Sequence, residues 1–148
     1  MSGDTRPVIV TERGWPMHFV GAAACTFRRN TLLRCGENAV VVSSVGNYRP
    51  PSLNGDSCEI GVRAFYETLA LRVHRDGPYL EGDPDQRIEF ESPGILGLDP
   101  AVDTYADMAA NIMHDRVVEE VSARLLAGEL VSPIAGAASG TTELQACT

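Results

Sequence analysis

RGWPMHFVGAAACTFRRNTLL, residues Arg13–Leu33, is the stretch whose reading decides the fold. From Met17 to Arg28, alternate residues Met17, Phe19, Gly21, Ala23, Cys25 and Phe27 fall on one face; His18, Val20, Ala22, Ala24, Thr26 and Arg28 fall on the other. Both faces are mostly apolar, as expected of a central strand. Its glycines and alanines leave room for another backbone, a helix or a ligand to come close. The stretch also holds the only tryptophan, Trp15, and an Arg-Arg-Asn-Thr cluster. Arg29 and Asn30 read as a hairpin turn, followed by a second strand over Thr31–Arg34 and another turn over Cys35–Asn38.

Outward from there the chain keeps alternating strands with turns. On the N-terminal side, a polar arm ends at Pro7 and a short strand covers Val8–Thr11. On the C-terminal side, the β-branched run AVVVSSV makes Ala39–Val45 a strand, and the prolines and glycines of Gly46–Gly61 read as a long surface loop. Within Val62–His74, Phe65, Glu67, Leu69, Leu71 and Val73 share one face. Glu67 breaks that apolar pattern, so its carboxylate must be paired or hydrogen-bonded. Arg75–Gln86 reads as a turn-rich connection, and Arg87–Glu91 as a strand with Ile88 and Phe90 inward.

The last element is helical. Asp99 is placed as N-cap, Pro100 as the first helical residue and Gly128 just past the end, with the pattern running Ala101–Ala127. Its apolar stripe drifts, which allows a kink or a break. The expected fold is α+β: an antiparallel sheet of about five or six strands followed by one long or two shorter C-terminal helices. Residues 1–130 read as a single domain and 131–148, small and polar, as a flexible tail.

Composition narrows the function. A net charge of -8 over 148 residues argues against a binder of nucleic-acid polymers, which show a basic footprint over a whole face. All 12 basic residues are arginine. Each is a planar fork able to grip phosphate or carboxylate by two hydrogen bonds, although genomic base composition also explains an all-arginine set. Cys25, Cys35, Cys58 and Cys147 have no CxxC or zinc-like spacing and read as buried thiols. No signal region and no apolar run of ~20 residues is present, so a soluble intracellular protein with no membrane contact is expected.

The chain has neither a GxGxxG nor a GxxxxGK[ST] loop, which disfavours Rossmann and P-loop nucleotide chemistry. His18, His74 and His114 lack HExxH or HxH spacing, and no cofactor or metal is expected. A hydrolase of a nucleotide or amide would use Cys25 or Ser44 as nucleophile, His114 as base and Glu67 as its orienter. A nucleotide-binding site needs less assembly. Trp15, His18 and Phe19 offer faces for a base; Arg28, Arg63 and Arg124 offer forks for phosphate; Asn30, Glu67 and Asp107 offer partners for ribose hydroxyls. Each also has a plainer role: Trp15 as a core plug, Arg28 as a solvated turn charge, Arg124 as a last-turn cation and His114 as a packed core histidine.

The strings ERGWPMHFVGAAACTFRRNTLL, VVVSSVG, FYETLALRV and NIMHDRVVEEVSARLLAGE, together spanning about Thr11–Glu129, resemble the type one Thoeris anti-defence family. Its members are small phage proteins that sequester cyclic nucleotide immune signals. The resemblance implies an antiparallel sheet with C-terminal helices in the cytoplasm of an infected bacterial host. It implies tight, non-catalytic binding of a cyclic ADP-ribose isomer and, in some members, of cyclic di- or trinucleotides at separate sites. It implies a homo-oligomer, a dimer or a trimer of dimers. On this chain it makes Trp15 and neighbouring aromatic positions holders of a base, with Phe90 in the ligand-binding set. Arg63 and Arg28 become phosphate contacts, and His114 and Arg124 parts of a recognition surface. The last two lie ten residues apart, about 15 Å along a straight helix, too far for one small ligand to touch both. Pro16-Met17, the Gly46–Gly61 loop and the SPGILG stretch depart from the pattern.

Overall fold

The computed structural model describes residues 7–13, His18 and residues 23–136. The strands are β1 (Ile9–Glu12), β2 (Cys25–Cys35), β3 (Asn38–Tyr48), β4 (Tyr66–Asp76), β5 (Tyr79–Ile88) and β6 (Ile95–Leu96); a single helix, α1 (Ala106–Leu126), follows. All neighbours are antiparallel in the order β1-β2-β3-β4-β5, with β6 on β4. β3 takes the other edge of Tyr66 and Glu67, so β6 continues the β5 side. The α+β class, with an antiparallel sheet preceding one helix, is the one expected.

Sequence fixes the two tight hairpins. Cys35 pairs with Asn38 and Asp76 with Tyr79, and each two-residue connection begins with a glycine at positive φ, Gly36 at 63° and Gly77 at 62°. Glycine first is what a type II′ hairpin turn requires. The Val40–Val42 run sits at the centre, fully buried on both faces. One face carries Leu33, Val40, Val42, Ala70 and Ile88, which pack against Val117, Val121 and Leu125 of α1. A neighbouring cluster joins Phe27 and Tyr66 to Ala106, Ala110 and Met113. At Gly46 a side chain has no space, since a Cβ there would lie 2.1 Å from the buried Tyr66 ring.

The opposite face holds Leu32, Ala39, Val41 and Val73, with Leu80 and Ile134 beside them. Arg13, just past β1, donates both to Asn30 Oδ1 on β2 (3.0 Å) and to the Leu80 carbonyl on β5. The two edges of the sheet therefore converge on this face, as strand twist allows.

Several boundaries differ from the sequence reading. Arg29 and Asn30 form no turn; they pair with Ser44 and Ser43 in the middle of β2. Successive residues of a strand point to opposite faces, and each of the two finds its own partner there. β3 runs on through Gly46 and Asn47 to Tyr48, so the loop begins later. Most of the connection expected over Arg75–Gln86 is strand β5. The helix starts at Ala106, not Ala101, and is one continuous element. Asp99 and Asp103 accept from the backbone N–H of Ala101 and Tyr105, each at 2.9 Å, and these local turns replace the first helical turn. Residues 131–136, which the sequence reading gave to the tail, are tied across the sheet end: Ser132 exchanges bonds with Ala39, and Ala135 with Val73 and Arg75. No helix among the described residues is long and apolar enough to cross a membrane.

Candidate functional site

Two polar regions flank the β4 strand, one sealed and one open. The sealed region is a row across the sheet beneath α1. Strand register sets Thr31 opposite Glu12 and Thr68 opposite Ser44. His114 of α1 links the two pairs, its Nε2 lying 2.7 Å from Thr31 Oγ1 and its Nδ1 2.6 Å from Ser44 Oγ. Ser44 Oγ is 2.5 Å from Thr68 Oγ1, and Thr31 donates to Glu12 Oε1 at 2.6 Å.

The proton positions follow from this network. An ionised carboxylate only accepts, so Thr31 gives its hydrogen to Glu12 and accepts from His114 Nε2–H. Nδ1 of the neutral ring is then bare and accepts from Ser44, which leaves Thr68 to donate to Ser44. Burial pushes His114 down to about 4, with the Arg29 cation acting the same way, so the ring is neutral at pH 7. At the outer end, Arg29 grips Glu12 through two nitrogens (3.0 and 3.2 Å) and reaches Asn111 and Asp115 of α1 (2.9 and 2.8 Å). Burial raises the Glu12 carboxyl, yet the hydrogen bonds from Arg29 and Thr31 outweigh it and hold the group low. Arg29 is pushed up by the two carboxylates against the effect of its own burial.

The hydrolase set is thus half assembled. Ser44 and His114 do touch, but both are 0% exposed, and the imidazole's far side is oriented by Thr31 and Glu12. Glu67, the expected orienter, is on the opposite face of the sheet, next to Val45 in register. Cys25 is no better a nucleophile: burial pushes its thiol up to about 11, leaving it protonated.

The open region runs along the β4 edge, where the chain leaves the sheet after Ile88 and returns at Gly94. Thr68 N–H bonds to the Gly94 carbonyl, so the excursion between them frames a gap. One cavity of about 270 Å³ is lined by Glu67, Thr68, Arg87, Phe90, Ser92 and Gly94, among others. It adjoins a wider one of about 790 Å³ between the excursion and the C-terminal half of α1, lined by Glu89, Phe90, Glu91, Ser92, Glu120, Arg124 and Glu129. Glu89, Phe90 and Ser92 are common to both. Arg124 donates to the Glu89 carbonyl at 2.8 Å. Glu120 takes the backbone N–H groups of Glu91 and Ser92 (2.7 and 2.8 Å) and the Ser92 hydroxyl (2.7 Å), which rigidifies the excursion against the helix. Those bonds hold the Glu120 carboxyl low although burial opposes them.

Of the sequence candidates, Glu67 lines the smaller cavity, Arg124 the wider one and Phe90 both, and Arg87, an outward residue of the expected strand, lines the smaller. His18 joins them from outside: its Nδ1 is 2.9 Å from Ser43 Oγ and its Nε2 3.3 Å from Glu67 Oε1. Nε2 makes no hydrogen bond among the described residues, so the latter contact is an ion-pair approach only. It still places the ring where it holds the Glu67 carboxyl low against burial. Glu67 is therefore paired, as its place in the alternation required.

The others lie elsewhere. Asn30 is wholly buried beside Arg13, its Nδ2 without a partner among the described residues. Asp107 accepts from Tyr66 Oη and from Asn47 Nδ2 (3.2 Å), a contact that locks the start of α1 to the sheet. Burial and that carboxylate push the Tyr66 phenol up. Arg28 and Arg63 are exposed, Arg63 at a φ of 56° in the loop before β4. His114 belongs to the sealed row. Trp15 and Phe19 lie outside the described residues. Among the described residues no cluster of metal-ligating side chains occurs, and Cys25, Cys35 and Cys58 form no disulfide. No known protein family, characterised protein or solved structure matches the chain.

Proposed function

We propose that this protein binds and sequesters a cyclic nucleotide signal, an ADP-ribose isomer, in the groove beside β4, without cleaving it. The observation that carries this reading is the contrast in access. Glu67 and Arg124 line two open cavities that share Phe90 in their walls, whereas the Ser44–His114 pair is sealed. The larger cavity, about 790 Å³, is by itself of a size that suits a ligand of nucleotide dimensions. Phe90 supplies an apolar ring edge for a base, and Arg87 and Arg124 supply a fork toward each end for phosphate.

The carboxylates refine the ligand class. Glu67, Glu89, Glu91, Glu120 and Glu129 outnumber the two arginines along the lining. Such a wall accepts hydrogen bonds from ribose hydroxyls and an exocyclic amine, and it repels additional phosphates. A ligand with two phosphates and two ribose rings therefore suits it better than a cyclic trinucleotide. In this reading the protein acts in the cytoplasm of an infected bacterium, where it lowers the free concentration of an anti-phage signal and so blocks Thoeris-type immunity. The resemblance of the ERGWPMHFVGAAACTFRRNTLL and MHDRVVEE strings to the type one Thoeris anti-defence family supports it.

A thermal-shift screen with cyclic ADP-ribose isomers and cyclic di- and trinucleotides tests it. A ligand at 100 times its dissociation constant adds ~2.7 kcal/mol of stability. A clear shift with an ADP-ribose isomer and a weaker one with trinucleotides is expected; no shift with any of them contradicts the proposal. The rival reading, hydrolysis through Ser44 and His114, has their 2.6 Å contact in its favour. It requires Ser44→Ala to abolish turnover, whereas sequestration leaves binding by Ser44→Ala intact.

A further inference from the structure

The smaller cavity beside β4, about 270 Å³, has room for one sugar ring and not for a whole nucleotide. What it offers that ring is set by Glu67. The backbone of Glu67 is paired on both sides, with Val45 of β3 and Ile95 of β6, so its side chain leaves the sheet in one fixed direction. Phe90, in the same lining, is held as firmly. A Cβ on Gly94 would lie 2.9 Å from the Thr68 carbonyl and 3.0 Å from the Phe90 ring, so glycine is what lets that ring come so close.

Behind the carboxylate sits His18, its side chain 2% exposed against 32% for Glu67. Nδ1 is 2.9 Å from Ser43 Oγ in the middle of β3, and Nε2 is 3.3 Å from Glu67 Oε1. A carboxylate only accepts, so the hydrogen belongs on Nε2, and Nδ1 accepts from Ser43. Nε2 is buried with no hydrogen bond among the described residues, a costly state that the charge of Glu67 offsets.

We propose that His18 is a positioning residue that aims the Glu67 carboxylate at the vicinal diol of a ribose seated in the smaller cavity, and that this contact decides which sugars the site accepts. The inference rests on the nucleotide-binding reading and names the part of the ligand that enters here. Two neighbouring hydroxyls bring two donors to two carboxylate oxygens. An adenine edge brings one donor beside an acceptor, and that acceptor would face a carboxylate oxygen unpaired. Phosphate fits worse, because Glu67 repels a second anion. An acidic side chain reads ribose hydroxyls in the same way in dinucleotide-binding folds. The base then lies on the wider side of the shared Phe90 wall, toward Arg124.

Calorimetry tests it with a cyclic ADP-ribose isomer that has a free vicinal diol and with the deoxy analogue lacking one of those hydroxyls; thermal melts check that each variant folds. The wild type should prefer the diol ligand by about 10- to 100-fold. Glu67→Gln should lose nearly all of that preference. His18→Leu, which fills the space but has no N–H, should lose most of it, and His18→Gln, whose amide nitrogen can stand where Nε2 does, should regain much of it. A packing role for His18 predicts the reverse order. Ser43→Ala, which removes the hydroxyl that sets the ring, should also lose part of the preference. Equal affinity of the wild type for both ligands overturns the proposal and leaves sequestration standing, and binding of neither overturns both. Undiminished preference in His18→Leu overturns the positioning role, as does undiminished preference in Ser43→Ala where His18→Leu does not fold.

Discussion

The row under α1 and the groove beside β4 draw on the same residue chemistry, carboxylates, hydroxyls and a planar cation, and they part company over water. In the row, Thr31, Ser44, Thr68 and His114 are at most 1% exposed, and every hydrogen-bonding atom of the imidazole has a protein partner. In the groove, the carboxylates and Arg124 keep contact with solvent. A polar side chain under the helix is thus a fastener, satisfied by its neighbours and shut off from solvent, whereas the same kind of side chain at the groove stays open to solvent. The Ser–His contact that would suggest catalysis is, by this criterion, a clasp between helix and sheet.

Breaking the clasp should have the largest effect. His114→Ala removes two hydrogen bonds, strands Thr31 and Ser44 without their partner and leaves a cavity. Together these should cost about 3–5 kcal/mol of stability in urea unfolding. A loss below ~1 kcal/mol would mean that the row fastens nothing.

Acid should reach the same clasp more gently. With the folded His114 near 4 and an ordinary value of 6.5, the unfolded chain takes up a proton between those values while the folded chain does not. Stability therefore falls as pH drops through 6.5 and stops responding to this group below about 4. The full difference is ~3 kcal/mol, of which a melt series from pH 7 to 4.5 samples most. The low-lying carboxyls of Glu12, Glu67 and Glu120 titrate in the same sense but toward lower pH. A variant with His114→Gln should lose the pH 6.5–5 part of the slope; an unchanged slope would assign it to other groups.

How much of this was legible in the sequence depends on the range of the signal. The alternation over Val62–His74 and the Val40–Val42 run gave β4 and β3, and Glu67 announced a partner simply by breaking an apolar face. The alternation over Met17–Arg28 meets β2 only from Cys25 on, since residues 23 and 24 are not strand and residues 17 and 19–22 lie outside the described residues. The row could not be read in advance. Thr31, Ser44 and Thr68 are single small polar residues in three separate strands, and only the register places them in line with His114. Ser44 does interrupt the apolar face of Val40 and Val42, and that is the one local trace of the row; Thr31 and Thr68 share their faces with Arg29 and Arg72 and stand out no more than these do. Arg29 and Asn30 misled because two adjacent polar residues imitate a turn, although in a strand they serve opposite faces. Asp99 misled because an acid before proline marks a helix start and a local turn equally well. The two cavities were half legible: Glu67, Phe90 and Arg124 were candidates, but the excursion that walls both cavities depends on Glu120 holding the backbone of Glu91 and Ser92.

On the groove side the effects should fall on binding and spare the fold. Arg124→Ala should weaken nucleotide binding by about 1.5–3 kcal/mol if its fork meets phosphate, with the melting temperature nearly unchanged. Unaltered calorimetric affinity in the folded variant would remove Arg124 from the site. The smallest effect is expected at the rim of the row. Arg29→Ala should cost about 1 kcal/mol or less and less still at high salt, because its pairs with Glu12 and Asp115 are partly solvated. A loss as large as that of His114→Ala would place the fastening in the ion pairs and not in the imidazole.

The most direct test is to saturate the purified protein with a cyclic ADP-ribose isomer, remove unbound ligand, denature the complex by heat and analyse the released molecule by mass spectrometry and chromatography. Sequestration predicts stoichiometric recovery of the ligand, chemically unchanged, from wild type and from Ser44→Ala alike. Recovery of a cleaved product from the wild type, abolished in Ser44→Ala, would contradict it.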